Sequence, residues 1–152
     1  MLRDSLSQAL KDAMKAKDSR RTATLRLILA ALKDRDIAAR TDGADRTGIP
    51  DDQILSMLQT MVRQRRESIT MYEQGGRADL VEQEKDEIAI IEGFLPKQME
   101  EAEIKAAAEA AVAEIGAQGI KDMGKVMGAL KGKYAGQMDF GKASAILKAL
   151  LS

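Results

Sequence analysis

The chain has no cysteine, no histidine and no tryptophan, and its 152 residues include only two prolines, two tyrosines and two phenylalanines. Asparagine is missing as well. Each absence removes a class of chemistry. Without thiols there is no disulfide framework and no cysteine nucleophile; without imidazoles the commonest general base and the usual zinc ligands are gone. A thiol-free chain fits a reducing compartment, so a cytoplasmic protein is the expectation. No apolar run approaches the roughly 20 residues needed to span a bilayer, and no membrane association is expected. The first residues, MLRDSLSQALKDAMKAKD, are charged every few positions, unlike a signal peptide. No loop has calcium-binding spacing and no phosphate-cradling glycine loop can be placed, so neither a metal nor a cofactor is expected.

What is present favours helix. Alanine, leucine, lysine, glutamate and arginine dominate, with 45% apolar and 32% charged residues, the balance of a globular all-α protein. The length suits one ordinary domain or two small ones. The 24 basic and 24 acidic side chains cancel, but unevenly. Residues 1–48 hold 11 basic against 7 acidic, residues 77–103 hold 3 against 9, and residues 104–152 hold 7 against 4. A basic front and back flank an acidic middle, which confines any nucleic-acid contact to particular faces.

Hydrophobic spacing divides the chain into helices. Leu2, Leu6, Ala9, Ala13 and Met14 share one face of the first. Asp18 or Ser19 caps the second, whose seam is Leu25, Ile28, Leu29 and Leu32 and which fades near Arg40. Arg26, Lys33 and Arg40 recur every seven residues along its flank, either as a solvated edge or as a binding stripe. TDGADRTG, residues 41–48, reads as a loop. Ile49-Pro50-Asp51-Asp52 opens a long third helix, with Pro in the first turn and acids at the positive end. Its seam is Ile54, Leu58, Met61, Val62, Ile69 and Tyr72. Gly75-Gly76 stops it, and a fourth helix runs from about Asp79 to Gly93 with Leu80, Ile88 and Ile91 inward. So short a connection predicts an antiparallel hairpin. Past Leu95-Pro96 the chain turns alanine-rich, with Ile104, Ala108, Ala111, Val112 and Ile115 on one face. Asp122 and Asp139 are placed to cap two more short helices. The expected architecture is all-α: an elongated N-terminal helical hairpin or bundle over residues 1–96 and a small C-terminal three-helix module over residues 97–152.

Projection of the third helix at about 100° per residue puts Arg65 inside the apolar seam and turns Arg63 and Arg66 away from it. The same projection puts Glu84 and Glu87 in the seam of the fourth. Folding about Gly75-Gly76 sets position 65 opposite about 87. The expectation is a structural ion pair of Arg65 with Glu87, with Glu84 as second choice, rather than an acid–base site; no catalytic residue is expected. In MGKVMGALKGKYAG, residues 123–136, Gly124 and Gly128 lie four apart in a helix, costing about 1 kcal/mol each relative to alanine. Glycines so spaced let another helix or a nucleic-acid backbone come close, and internal packing is the expectation here. Lys125, Lys131 and Lys133 surround them with no acid between Asp122 and Asp139, open equally to binding and to solvation.

TLRLILAALKDRDI at 24–37, RQRRESITMYEQGGRADLVEQEKDEIAIIEGFLPKQ at 63–98 and DMGKVMGALKGKYAG at 122–136 resemble the GatB/YqeY family. These are free-standing proteins similar to the C-terminal tail region of GatB in the glutamine-dependent aminoacyl-tRNA amidotransferase. The resemblance covers essentially the whole chain; Phe94 stands where members usually show tyrosine. It implies a two-part all-α fold and a link with tRNA-dependent transamidation, in which the tail helps to hold the tRNA body. The family's label of carbon–nitrogen ligase with glutamine as amido-N-donor then describes that association, not catalysis by this polypeptide. The implied role is a non-catalytic tRNA-binding or tRNA-positioning accessory. Lys125, Lys131, Lys133, Arg26, Lys33, Arg63 and Arg66 are the candidate contacts, and an amidotransferase or aminoacyl-tRNA synthetase the candidate partner. The alternative is a protein-interaction adaptor without RNA contact, for which exposure of Met57, Met71, Met123 and Met138 would be the marker. No pattern specifies an oligomeric state.

Overall fold

The computed structural model describes residues 1–41 and 48–152, and these residues form seven α-helices and no strand. Residues 42–47 of the expected 41–48 loop lie outside the described residues. Two compact units divide the chain, Met1–Leu95 and Pro96–Ser152. The first holds α1 (Leu2–Lys15), α2 (Ser19–Thr41), α3 (Asp51–Gln74) and α4 (Ala78–Glu92). The second holds α5 (Glu101–Ile115), a 3-10 turn at Ile120–Asp122, α6 (Met123–Tyr134) and α7 (Phe140–Leu151). Among the described residues no helix is long and apolar enough to cross a membrane.

In the first unit the apolar stripes of α1, α2 and α3 meet around Leu6, Leu25, Ile28, Ile54 and Leu58, closed by Ile91 of α4. Each stripe repeats at three- and four-residue intervals, so one side of every helix leaves water. Burial along α3 stops at Val62, and Ile69 and Tyr72 beyond it are only half-buried against α4. In the first turn of α4 Val81 is the buried residue and Leu80 is half-buried. Helices α1 and α3 end in the same hydrogen-bond pattern. The N–H groups of Asp18 and Lys17 donate to Ala13 O and Met14 O at 3.0 and 3.2 Å, and those of Arg77 and Gly76 to Tyr72 O and Glu73 O at 2.9 and 3.2 Å. The motif needs one left-handed residue. Gly76 supplies it at φ 69°, whereas on α1 it is Lys17, at φ 57°.

A polar clamp fixes where the chain returns after α2. Arg3 Nη1 of α1 donates to Asp36 Oδ2 of α2 at 2.7 Å, and Arg3 Nη2 donates to Ile49 O at 3.0 Å. The Ile49 N–H donates to Asp36 Oδ1 at 2.9 Å, so both backbone groups of Ile49 are held. Gly48 stands against this clamp at φ 95°, and a Cβ there would come within 2.8 Å of Asp36 Oδ1. The hydrogen bond from Arg3 holds the Asp36 carboxyl below the ordinary aspartate range, helped by the Ile49 N–H and outweighing partial burial.

The second unit is built on Ile104, Ala108, Val126, Leu130, Met138 and Leu147. The side chain of Asp139 caps α7, accepting from the Gly141 and Lys142 N–H groups at 2.9 and 3.2 Å. Asp122 does not cap α6 with its side chain; Oδ2 accepts instead from the Gln118 N–H at 3.0 Å and closes the turn before it. Gln98 Nε2 donates to Gly136 O at 2.6 Å and the Met99 N–H to Gln137 O at 2.8 Å, tying the lead into α5 to the α6–α7 connection.

Because Asp36 is depressed in the folded state, its contribution is present above about pH 4, the ordinary carboxylate value, and is lost as pH falls through the folded value. Thermal melts of Asp36→Asn and the parent should differ at neutral pH and converge at strongly acidic pH. A constant gap down to the acid limit would contradict this account. Gly48→Ala should lower the neutral-pH midpoint in the same direction, since it is strained at φ 95° and meets the clamp.

Candidate functional site

The charged residues of α3 and α4 sort into pairs. Arg65 Nε donates to Glu87 Oε2 at 2.9 Å, with the side chains only 15% and 13% exposed, and Arg65 Nη1 also donates to Met61 O at 3.2 Å. The pair lies at the heart of the hairpin, where both residues occupy apolar-stripe positions. Glu84 makes no ion pair among the described residues. Burial, with the neighbouring Glu87 charge, pushes its carboxyl above the ordinary glutamate range, against the opposing pull of Arg65. Arg66 Nη2 meets Glu92 Oε1 at 2.8 Å near the surface, while Arg63 is exposed and forms no ion pair among the described residues. Arg20 of α2 meets Asp86 of α4. The acids of α4 thus hold three arginines from α2 and α3. Arg26 and Lys33 are exposed on α2, away from this network.

In the second unit the charges separate by helix. α5 has four glutamates and one lysine, whereas α6 and α7 together have five lysines and no acid within their spans. Val126 and Leu130 point α6 into the core, which leaves Gly124, Gly128 and Gly132 on the opposite side. A Cβ added at any of these three would meet nothing within 4 Å. Internal packing, the expected role of Gly124 and Gly128, is therefore not what they do. They form an open, flat strip along the outside of the helix. By helical rotation Lys125 and Lys131 fall roughly 60° to either side of Gly128, one along each edge of the strip. Both are exposed; Lys133 lies further round, with Nζ 5.5 Å from the centre of the Tyr134 ring. This site brings together Lys125 and Lys131 with the glycines, and places Arg26, Lys33, Arg63 and Arg66 on the other unit.

The methionines proposed as adaptor markers do not make one surface. Met57 and Met138 are fully buried and Met123 is half-buried, leaving Met71 exposed at 70%. Sequence reasoning missed the Arg3–Asp36–Ile49 clamp. The available signal was Asp36 itself, a charge four residues after Leu32 and in phase with the buried stripe of α2. Among the described residues no three acidic, histidine or cysteine side chains converge to hold a metal ion.

The described residues thus form two all-α units, the second with a glycine-floored, lysine-edged helix face. Residues 3–151 match the family model described as Yqey-like protein, and the chain belongs to that family. It is similar to "Altered inheritance of mitochondria protein 41, mitochondrial" of Eremothecium gossypii, at 37% identity over 90 residues, 59% of this chain and 46% of the relative. The protein of the same name from Lachancea thermotolerans is 35% identical over 91 residues, 60% of this chain and 46% of the relative. That from Saccharomyces cerevisiae is 34% identical over 86 residues, 57% of this chain and 44% of the relative. The matched part spans less than half the length of these relatives. Their names overturn the cytoplasmic placement expected from the absence of thiols, because they are named as mitochondrial proteins. Lack of cysteine excludes disulfides and is neutral among compartments that do not require them, so composition had no power to decide.

Removing one partner of a largely buried ion pair leaves the other uncompensated. Arg65→Ala should therefore destabilise the chain by roughly 3 kcal/mol, against about 0.5 kcal/mol or less for exposed Arg63→Ala, as read by denaturant unfolding. Glu84 has the opposite sign from Asp36. Its raised folded value means that the ionised form works against folding, so Glu84→Gln should raise the midpoint at neutral pH. That gain should vanish as pH falls below about 4, where the parent carboxyl is protonated in both states.

Proposed function

We propose that this protein is a non-catalytic accessory that binds or positions tRNA, and that the α6 face of the second unit makes the contact. The observation that carries the reading is the open strip of Gly124, Gly128 and Gly132 between Lys125 and Lys131. Three glycines within one short helix weaken it by about 1 kcal/mol each relative to alanine, and nothing inside the unit gains from their missing side chains. A flat, cation-edged helix surface suits close approach of a sugar–phosphate backbone, with the lysines at the phosphates. Absence of acid from α6 and α7 leaves the field of that face positive. The resemblance to the amidotransferase tail supports the same ligand and supplies the candidate protein partner, an amidotransferase or aminoacyl-tRNA synthetase. Lys133, Arg26, Lys33, Arg63 and Arg66 are secondary in this reading, Arg66 because Glu92 already engages it.

Binding of total tRNA measured across a salt series should give a shallow line of log affinity against log salt, with a slope of about −2 to −3 for a few phosphate contacts. Absence of binding at low salt would remove the reading. Gly128→Leu separates it from a structural role. The side chain enters open space and a better helix former replaces glycine, so the thermal midpoint should rise while tRNA affinity falls at least about tenfold through lost approach. If the variant is stabilised and binds tRNA as before, the strip is not the contact.

A further inference from the structure

Through its first three turns helix α2 is apolar on the side facing away from the core as well as on the side facing it, and exposed Asp34 ends the outer stripe one turn past Ala30. Ala23, Leu27 and Ala30 follow one another at intervals of four and three along its outer face, all exposed, with Leu27 48% accessible. At its N-terminal end this stripe runs into a cleft of about 350 Å³ lined by Met14, Lys17, Ser19, Thr22, Ala23 and Arg26. Met14, from α1, is itself 50% exposed. The cleft therefore joins two apolar side chains to two cations and two hydroxyls, and Lys33 continues the cationic edge seven residues beyond Arg26, about 10 Å along the helix. Five arginines of the same unit, Arg3, Arg20, Arg65, Arg66 and Arg77, are matched to carboxylates; Lys17, Arg26 and Lys33 form no ion pair among the described residues.

Lys17 adds an independent sign. It closes α1 in the left-handed conformation that Gly76 adopts in the same motif at the end of α3. A side chain in that conformation is less stable than glycine, and the chain accepts the strain with a lysine at the mouth of the cleft. The positive end of α2 is not what the cleft offers, since Asp18 Oδ1 already accepts from the Arg21 N–H at 3.1 Å.

We propose that this face docks an acidic amphipathic helix from a partner protein. A leucine-sized side chain sits in the cleft against Met14 and Ala23, the seam continues over Leu27 and Ala30, and carboxylates meet Arg26 and Lys33, a heptad apart, and Lys17 at the mouth of the cleft. The alanines let the two helix axes come close, and cations flanking an apolar seam select an acid-flanked partner. Nucleic acid suits the face less well: the stripe offers no aromatic ring on which a base could stack, and Leu27 and Met14 would stay wetted or lie against phosphates. The inference does not rest on the tRNA reading of α6: it shares none of the α6 residues, and Arg26 and Lys33, secondary in that reading, are assigned here to the peptide.

The probe is a fluorescent synthetic three-heptad helix with a leucine seam and glutamate flanks. It is compared by anisotropy with the same peptide carrying lysine flanks and with a scrambled isomer of the glutamate peptide. The intact chain should bind only the first, more weakly as salt rises. Arg26→Glu and Lys33→Glu should each weaken binding about three- to tenfold, and Leu27→Glu should abolish it. Lys125→Glu should leave it unchanged. Lys17→Gly is the most discriminating variant, because it should raise the thermal midpoint by relieving the left-handed residue yet weaken the peptide. Failure of the glutamate peptide to bind, or equal binding of the scrambled isomer, overturns the proposal. So does a result in which the α2 variants lower tRNA affinity and leave the peptide untouched, which would assign the face to RNA.

Discussion

The first unit depends on charges that sit in phase with its apolar stripes. Arg65 lies in the seam of α3 and Asp36 in that of α2, and neither position can face the core without a partner of opposite sign. That requirement converts a loosely specified packing into a specific one. Of the two carboxylates in the α4 seam, Glu87 is the one Arg65 meets, at 2.9 Å, and the short turn at Gly75-Gly76 sets that register. Similarly, Arg3 and Asp36 hold both backbone groups of Ile49 and so place the start of α3 against α1 and α2. Such pairs add little net stability, since desolvation offsets much of the attraction; their effect is on which arrangement forms.

Zero net charge conceals a strong internal sorting. The acids of α4 are turned to the arginines of α2 and α3, through Asp86, Glu87 and Glu92. Among the cations outside that matching, Arg26 and Lys33 lie a heptad apart on the exposed side of α2. In the second unit α5 carries four glutamates and one lysine, whereas α6 and α7 carry five lysines and no acid within their spans. Two basic faces result, and the residues between the cations distinguish them. On α6 the intervening positions are glycines, which present bare backbone; on α2 they are alanine and leucine, which present apolar surface. Bare backbone between lysines favours a phosphate chain at close range, while apolar surface between cations favours an acidic helix.

Helix ends tell the same story of local rules applied and set aside. Asp139 caps α7, and Gly76 closes α3 in the left-handed conformation that glycine adopts most readily. Lys17 occupies the equivalent place on α1, and Asp122 gives its carboxylate to Gln118 rather than to the helix it precedes. Where a local preference is set aside at an exposed position and nothing internal gains, the cause is to be sought outside the unit. Lys17 and the glycines of α6 are the positions that meet that condition.

By itself the sequence determined the helical class, the approximate span of every helix outside residues 42–47 and the hairpin about Gly75-Gly76, because periodicity, caps and glycine stops act over a few residues. Register across a two-residue turn is a matter of counting, which is why positions 65 and 87 could be set opposite each other from residues alone. Other features needed the third dimension. Whether Gly124 and Gly128 face a neighbouring helix or open space depends on where α5 and α7 lie, and no pattern within α6 states that. The link of Arg3 to Asp36 joins residues 33 positions apart, so it exists only once α1 and α2 have packed. The burial of Val81 in place of Leu80 turns on about 100° of helix rotation, smaller than the uncertainty of a stripe read from a few apolar residues. Short-range chemistry wrote the elements; which faces remained uncovered, and therefore free to bind, was decided by packing.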